Sequence, residues 1–176
     1  MARCMINAVC VSVCCKKCCS HLYGVVTLAS LLYCVPTVGE WLERRPLRHL
    51  IRYRYPRLPE LLQALRKRGK RIGIFSDYPA DKKLEALELE ADIVVCSSDK
   101  DVGVLKPHAR GLQVLMARAA ANPAETILIG DRPERDGLAA QAANVRALIL
   151  SPKPLGGWQT FDRYDDPLFS TLRLID

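Results

Sequence analysis

The chain has 176 residues, about half of them apolar and a quarter charged, with a net charge of +7. That is the profile of a globular protein large enough for one real core, and it excludes collagenous, low-complexity and highly charged disordered classes. The charge is uneven: residues 1–72 hold 14 Lys/Arg against 3 Asp/Glu, and residues 73–176 hold 12 against 16.

In chain order, residues 1–40 are unlike the rest. They carry seven of the eight cysteines, include "CCKKCC" at 14–19, and have no Asp or Glu through residue 39. Cysteines gathered at one end cannot staple a whole fold, which argues against a disulfide framework. The apolar run "LYGVVTLASLLYCV" at 22–35 has 14 residues, broken by Gly24 and followed by Pro36. A membrane span needs about 20 residues. Four readings stand open for this segment. One is a zinc site through Cys14, Cys15, Cys18 and Cys19, for which a second matching pair is missing. Another is palmitoylation or a weak membrane anchor over residues 14–35. The third is a helix or strand packed on the domain, and the fourth is a poorly ordered or non-native leader.

Residues 41–56 read as a basic linker or a cap remnant. "RRPLRHLIRYRYPR" at 44–57 and "RKRGKR" at 66–71 form a basic stretch. It has neither the order of a nucleic-acid module nor a regular aromatic platform, so a solvated basic face is expected and nucleic acid is not an expected partner.

From residue 57 the pattern becomes regular. "RLPELLQALRKRG" predicts a helix, with Pro59 in its first turn, a stripe of Leu61, Leu62 and Leu65, and Gly69 just past its end. "RIGIFS" at 71–76 predicts a strand, and 81–90 a helix with Asp81 as its N-cap. Strands follow at 92–97, 126–131 and 145–150, and helices at 106–121 and 134–144. Alternating helices and short apolar strands predict an α/β fold: a three-layer, Rossmann-like parallel sheet with helices on both faces. Residues 57–150 form its core, and 151–176 a C-terminal extension that wraps the edge with one short element at "FSTLRLI".

In an open parallel sheet, ligands bind beyond the carboxyl ends of the strands. The strand at 71–76 ends in Ser76-Asp77, the strand at 126–131 ends in Gly130-Asp131 with Asp136 close behind, and Lys106-Pro107 opens a helix between them. A hydroxyl, a lysine and hard-oxygen carboxylates on one edge suit a phosphate and a divalent metal such as Mg²⁺.

Ser76, then Lys106-Pro107, then Gly130-Asp131-x-x-x-x-Asp136 resembles the second, third and fourth motifs of the haloacid dehalogenase superfamily. "LPELLQALRKRGKRIGIFSDYP", "DVGVLKPHARGLQVLMARA" and "ETILIGDRPERDGLAAQAANVRALIL" are similar to its phosphoglycolate-phosphatase-like members. The resemblance covers about residues 57–150. It implies hydrolysis of a small phosphorylated substrate with Mg²⁺ in a cytoplasmic protein. Ser76 and Asp77 would sit at the phosphate, Lys106 would steady the phosphoryl charge, and Asp131 and Asp136 would serve the metal.

The superfamily attacks phosphorus with an aspartate from an N-terminal Asp-x-Asp strand. No Asp precedes Asp77 here, and the strand-like "MINAVCVSV" at 5–13 offers Asn7 and Cys10 only. No residue is assigned as nucleophile, and the segment before Leu58 does not read as a helical cap. A phosphate-binding or regulatory protein without turnover is therefore the alternative.

Overall fold

The computed structural model describes residues 8–11 and 45–174. Its core is a sheet of six strands in the order β3-β2-β1-β4-β5-β6, with every neighbouring pair parallel. The strands are β1 (Ala8–Val11), β2 (Arg71–Ser76), β3 (Ile93–Cys96), β4 (Thr126–Gly130), β5 (Arg146–Leu150) and β6 (Gln159–Phe161).

Two apolar layers cover the sheet, because successive side chains of a strand point to opposite faces. One face carries Ile72 and Ile74 of β2, Ile127 and Ile129 of β4, and Leu148 and Leu150 of β5. Helices α1 (Arg45–Leu50), α2 (Leu58–Lys67) and α3 (Asp81–Ala86) supply residues to that layer. The other face carries Phe75, Val95 and Leu128, under α4 (Arg110–Arg118) and α5 (Leu138–Ala142). The expected three layers are present. Each fully buried Leu or Ile contributes about 1.5–3 kcal/mol of apolar transfer, so the two layers supply most of the driving force.

Local chemistry accounts for the helix ends. In α2 the leucine stripe is buried with Leu58, and Pro59 lies in the first turn. Gly69 takes φ +69°, and Lys70 N–H returns to Leu65 O at 3.0 Å, closing the helix as predicted. Helix α3 is shorter than predicted and its N-cap is Ala80, with Asp81 already helical. It ends because Glu88 turns to φ +52°, and Leu89 N–H bonds Leu84 O at 2.9 Å. That reversal brings Leu89 into the core beside Leu84 and Leu87; five residues along a continuing helix it would face about 140° away from Leu84.

The sheet also draws on both flanks of residues 57–150. Four residues of the segment read as a leader form β1, which lies at the centre between β2 and β4. The rest of residues 1–40, with the zinc, lipid-anchor and membrane readings, lies outside the described residues. At the other end the tail does more than wrap. It adds strand β6, paired with β5 through Leu148–Gln159 and Leu150–Phe161, and helix α6 (Leu168–Thr171). Phe161, Tyr164, Phe169 and Leu174 are buried in the first apolar layer. Among the described residues no helix is long and apolar enough to cross a membrane.

Candidate active site

The carboxyl ends of β2 and β4 lie on either side of β1, and the predicted site residues gather above that gap. Ser76 closes β2 and is buried, with its Oγ 3.3 Å from the Tyr78 N–H. Asp77 follows it, and its Oδ1 accepts the Lys106 N–H at 2.9 Å and the Ser97 hydroxyl at 3.1 Å. The side chain of Asp77 thus ties β2 to the end of β3 and to the lysine loop. Its Oδ1 is engaged with protein donors.

Lys106 does not open a helix. Residues 106–109 form a turn with a cis Lys106-Pro107 peptide, and α4 starts at Arg110. The ammonium reaches from this loop to the β4 side. Lys106 Nζ stands 2.8 Å from Asp136 Oδ1 and 3.4 Å from Phe75 O, and lies 5.0 Å from the centre of the Phe75 ring. The side chains are 2% and 0% exposed. An ion pair this buried is weakly screened, and breaking it leaves an uncompensated charge.

Asp136 was expected as a metal residue, and in the structure it also meets several protein donors. Its Oδ2 accepts the backbone N–H groups of Asp131 at 3.3 Å and Arg132 at 3.1 Å, while Oδ1 takes the lysine. Both oxygens meet protein donors, so Asp136 holds Lys106 and shapes the turn after β4. That turn is a π-helix, Pro133–Gly137, where an α-helix was predicted from 134. The N–H groups of Asp136 and Gly137 both point to Arg132 O, which lets the chain curl around the inward carboxylate. Gly130 is required by the same arrangement: a Cβ there would fall 2.5 Å from the Cβ of Asp136. Asp131 follows β4 directly and is half-buried.

A second ion pair, which sequence reasoning missed, joins Arg135 Nη2 to Asp77 Oδ2 at 3.2 Å. Both pairs cross the carboxyl end of β1, in opposite directions: Lys106 to the acid behind β4, and Arg135 to the acid behind β2. Tyr164 was missed as well. It is buried against Tyr55 and Phe161. Burial, and after it the charges of Tyr55, Asp131 and Asp136, push its phenol well above the ordinary value.

Among the described residues there is no cluster of three metal-ligating side chains. Mg²⁺ is commonly held by one or two carboxylates with water and phosphate oxygens completing the shell. Asp131 and Asp136, the two acids expected to serve the metal, are hard-oxygen donors of this kind, and both lie just beyond β4.

Fold and site together define a three-layer parallel-sheet domain with an acid–lysine–hydroxyl edge. Comparison with known proteins agrees: the haloacid dehalogenase-like hydrolase pattern matches residues 25–144, and the chain belongs to that family. Among curated relatives, the pyrophosphatase PpaX of Bacillus mycoides is 31% identical over 102 residues, covering 55% of this chain and 46% of the relative. The phosphoserine phosphatase of Thermus thermophilus is 29% identical over 103 residues, covering 55% and 41%. The matched region thus spans less than half the length of either relative. Solved structures share the fold. A hydrolase of the family from Deinococcus radiodurans, with bound phosphate and sodium, superposes with a TM-score of 0.68 at 17% identity, over 97% of both chains. A phosphatase of the family from Thermococcus onnurineus gives 0.63 at 21% identity, over 78% of this chain and 70% of that one.

Proposed function

We propose that this chain is a Mg²⁺-dependent phosphate-monoester hydrolase by descent, with a site that binds the phosphoryl group of a small substrate at the carboxyl edge of β2 and β4. The observation that carries this reading is the buried Lys106–Asp136 pair, 2.8 Å apart, with Lys106 Nζ also 3.4 Å from the carbonyl of Phe75, the residue before Ser76 at the end of β2. A fixed, desolvated ammonium is an effective partner for phosphoryl oxygens. The Ser76 hydroxyl and the backbone at Asp77 would donate to the same oxygens. Asp131 would hold Mg²⁺, which when bound neutralises phosphoryl charge. Asp136 supports both by fixing Lys106 and the Asp131 backbone. The names of the curated relatives, a pyrophosphatase and a phosphoserine phosphatase, support a small phosphorylated substrate. Neither nucleic acid nor a membrane enters this reading, and a cytoplasmic location goes with it.

One observation favours a second reading, phosphate binding without turnover. The strand between β2 and β4 is Ala8-Val9-Cys10-Val11, and no carboxylate occurs through residue 39. Covalent catalysis needs its attacking group. Hydrolysis of an aryl phosphate, measured with Mg²⁺ and with EDTA against Asp131→Asn, separates the two. Mg²⁺-dependent turnover lost in the variant supports the hydrolase. Calorimetric binding of inorganic phosphate with no turnover supports the binding protein. Absence of both turnover and binding overturns both readings.

A further inference from the structure

Arg135 lies in the π-helical turn after β4 and spans the end of β1 to reach Asp77. Its partner is immobile. The Asp77 side chain is 3% exposed and its Oδ1 is held by Lys106 N–H and Ser97 Oγ–H. Asp77 Oδ2, the oxygen facing Arg135, makes no hydrogen bond among the described residues, so the 3.2 Å contact is a charge pair without aligned N–H geometry. A guanidinium has five N–H donors in a planar fork. One carboxylate oxygen draws one edge of that fork by charge and leaves the other donors available.

Depth separates the two cations of this edge. The Lys106 side chain is 2% exposed and that of Arg135 is 28%. A ligand entering from solvent therefore meets Arg135 first and Lys106 last. Each cation has its own acid, Asp136 for the lysine and Asp77 for the arginine. The two are linked at one point, because Asp77 also accepts the Lys106 backbone N–H.

Resting on the phosphate-site reading above, we propose that Arg135 is a second anion-binding group of this site. The ligand is accordingly a phosphate ester with a second anionic group, phosphoryl or carboxylate, on its outer side. The inner phosphoryl group meets Lys106 and Ser76, and the outer anion meets the Arg135 fork. Asp77 is the positioning residue that holds the fork across β1.

The test is calorimetric titration of the full chain, with Mg²⁺ in excess and ionic strength fixed. The ligands are methylphosphonate, phosphonoacetate and methylenediphosphonate. At least one of the two doubly anionic ligands is expected to bind about tenfold more tightly than methylphosphonate, the scale of one charge-assisted hydrogen bond. Whichever gains more identifies the outer group as carboxylate or phosphoryl. R135Q should abolish the advantage, so that in the variant the doubly anionic ligands bind no more tightly than methylphosphonate does. Arg135→Lys, which keeps the charge and loses the fork, should retain part of it and guards against a folding defect in R135Q. An advantage that persists in folded R135Q overturns the proposal. So does equal binding of all three ligands by the unmodified chain, an outcome that leaves the phosphate site standing. Binding of none of the three overturns the proposal together with the phosphate-site reading.

Discussion

Lys106 Nζ and Asp136 Oδ1 meet at 2.8 Å across the carboxyl end of β1, from loops that follow β3 and β4, with both side chains essentially out of solvent. The pair joins the two halves of the sheet at the edge proposed to bind phosphate, so structure and the proposed binding rest on the same contact.

Removing one partner should therefore cost stability as well as binding. Asp136→Ala leaves the ammonium buried without its acid, and its unfolding free energy should fall by about 3–5 kcal/mol in a denaturant titration. The double variant K106M/D136L replaces both charges with apolar groups and should recover most of that loss while phosphate binding stays abolished. A double variant no more stable than Asp136→Ala would show that the ion pair itself is not the source of the cost.

Gly130 tests how tightly the turn is packed. A methyl group at this position meets the Asp136 side chain at 2.5 Å, whereas one at Gly156 meets nothing within 4 Å. Gly130→Ala should lower stability by about 1–3 kcal/mol, the range for overpacking. Gly156→Ala should lie within about 0.5 kcal/mol of the unmodified chain. Equal melting temperatures for the two variants would contradict the close approach.

Phe169 tests whether the tail belongs to the core. It is fully buried and packs edge-on against Phe161 at 5.1 Å between ring centres. Phe169→Ala should cost about 3–5 kcal/mol. A negligible change in the denaturation midpoint would show that residues after 150 are dispensable.

Tyr164 gives the alkaline limb of the stability profile. Its phenol is raised in the folded protein by burial and by neighbouring negative charge. A group with a raised folded value contributes stability that is fully present below its unfolded value, about 10 for tyrosine, and is lost as pH rises towards the folded value. The folded state keeps the proton that the unfolded chain releases, so unfolding free energy should fall above about pH 10 by up to ~1.4 kcal/mol per pH unit. Tyr164→Phe should flatten that limb. An unchanged slope in the variant would assign the alkaline loss to other groups.

What local sequence determined is what local physics controls. The largely apolar runs at 71–76, 126–131 and 145–150 became β2, β4 and β5 within a residue, because a strand buried on both faces needs mostly apolar side chains. The leucine stripe and Gly69 of α2 were legible because apolar periodicity and a left-handed glycine are local signals, while the order Ser76, Lys106, Asp131, Asp136 stood out by its resemblance to the family's motifs. Tertiary structure alone decided the rest. Strand β6 has three residues, too few to show a period, and exists through its ladder with β5. Strand β1 is equally short and takes its central place from two neighbours that lie 60 or more residues further along the chain. The partners of the acids were the least legible. The sheet order brings Lys106 to Asp136 and Arg135 to Asp77 from opposite sides of β1. A buried carboxylate takes its function from the donors that reach it, and those donors are set by which strands lie side by side.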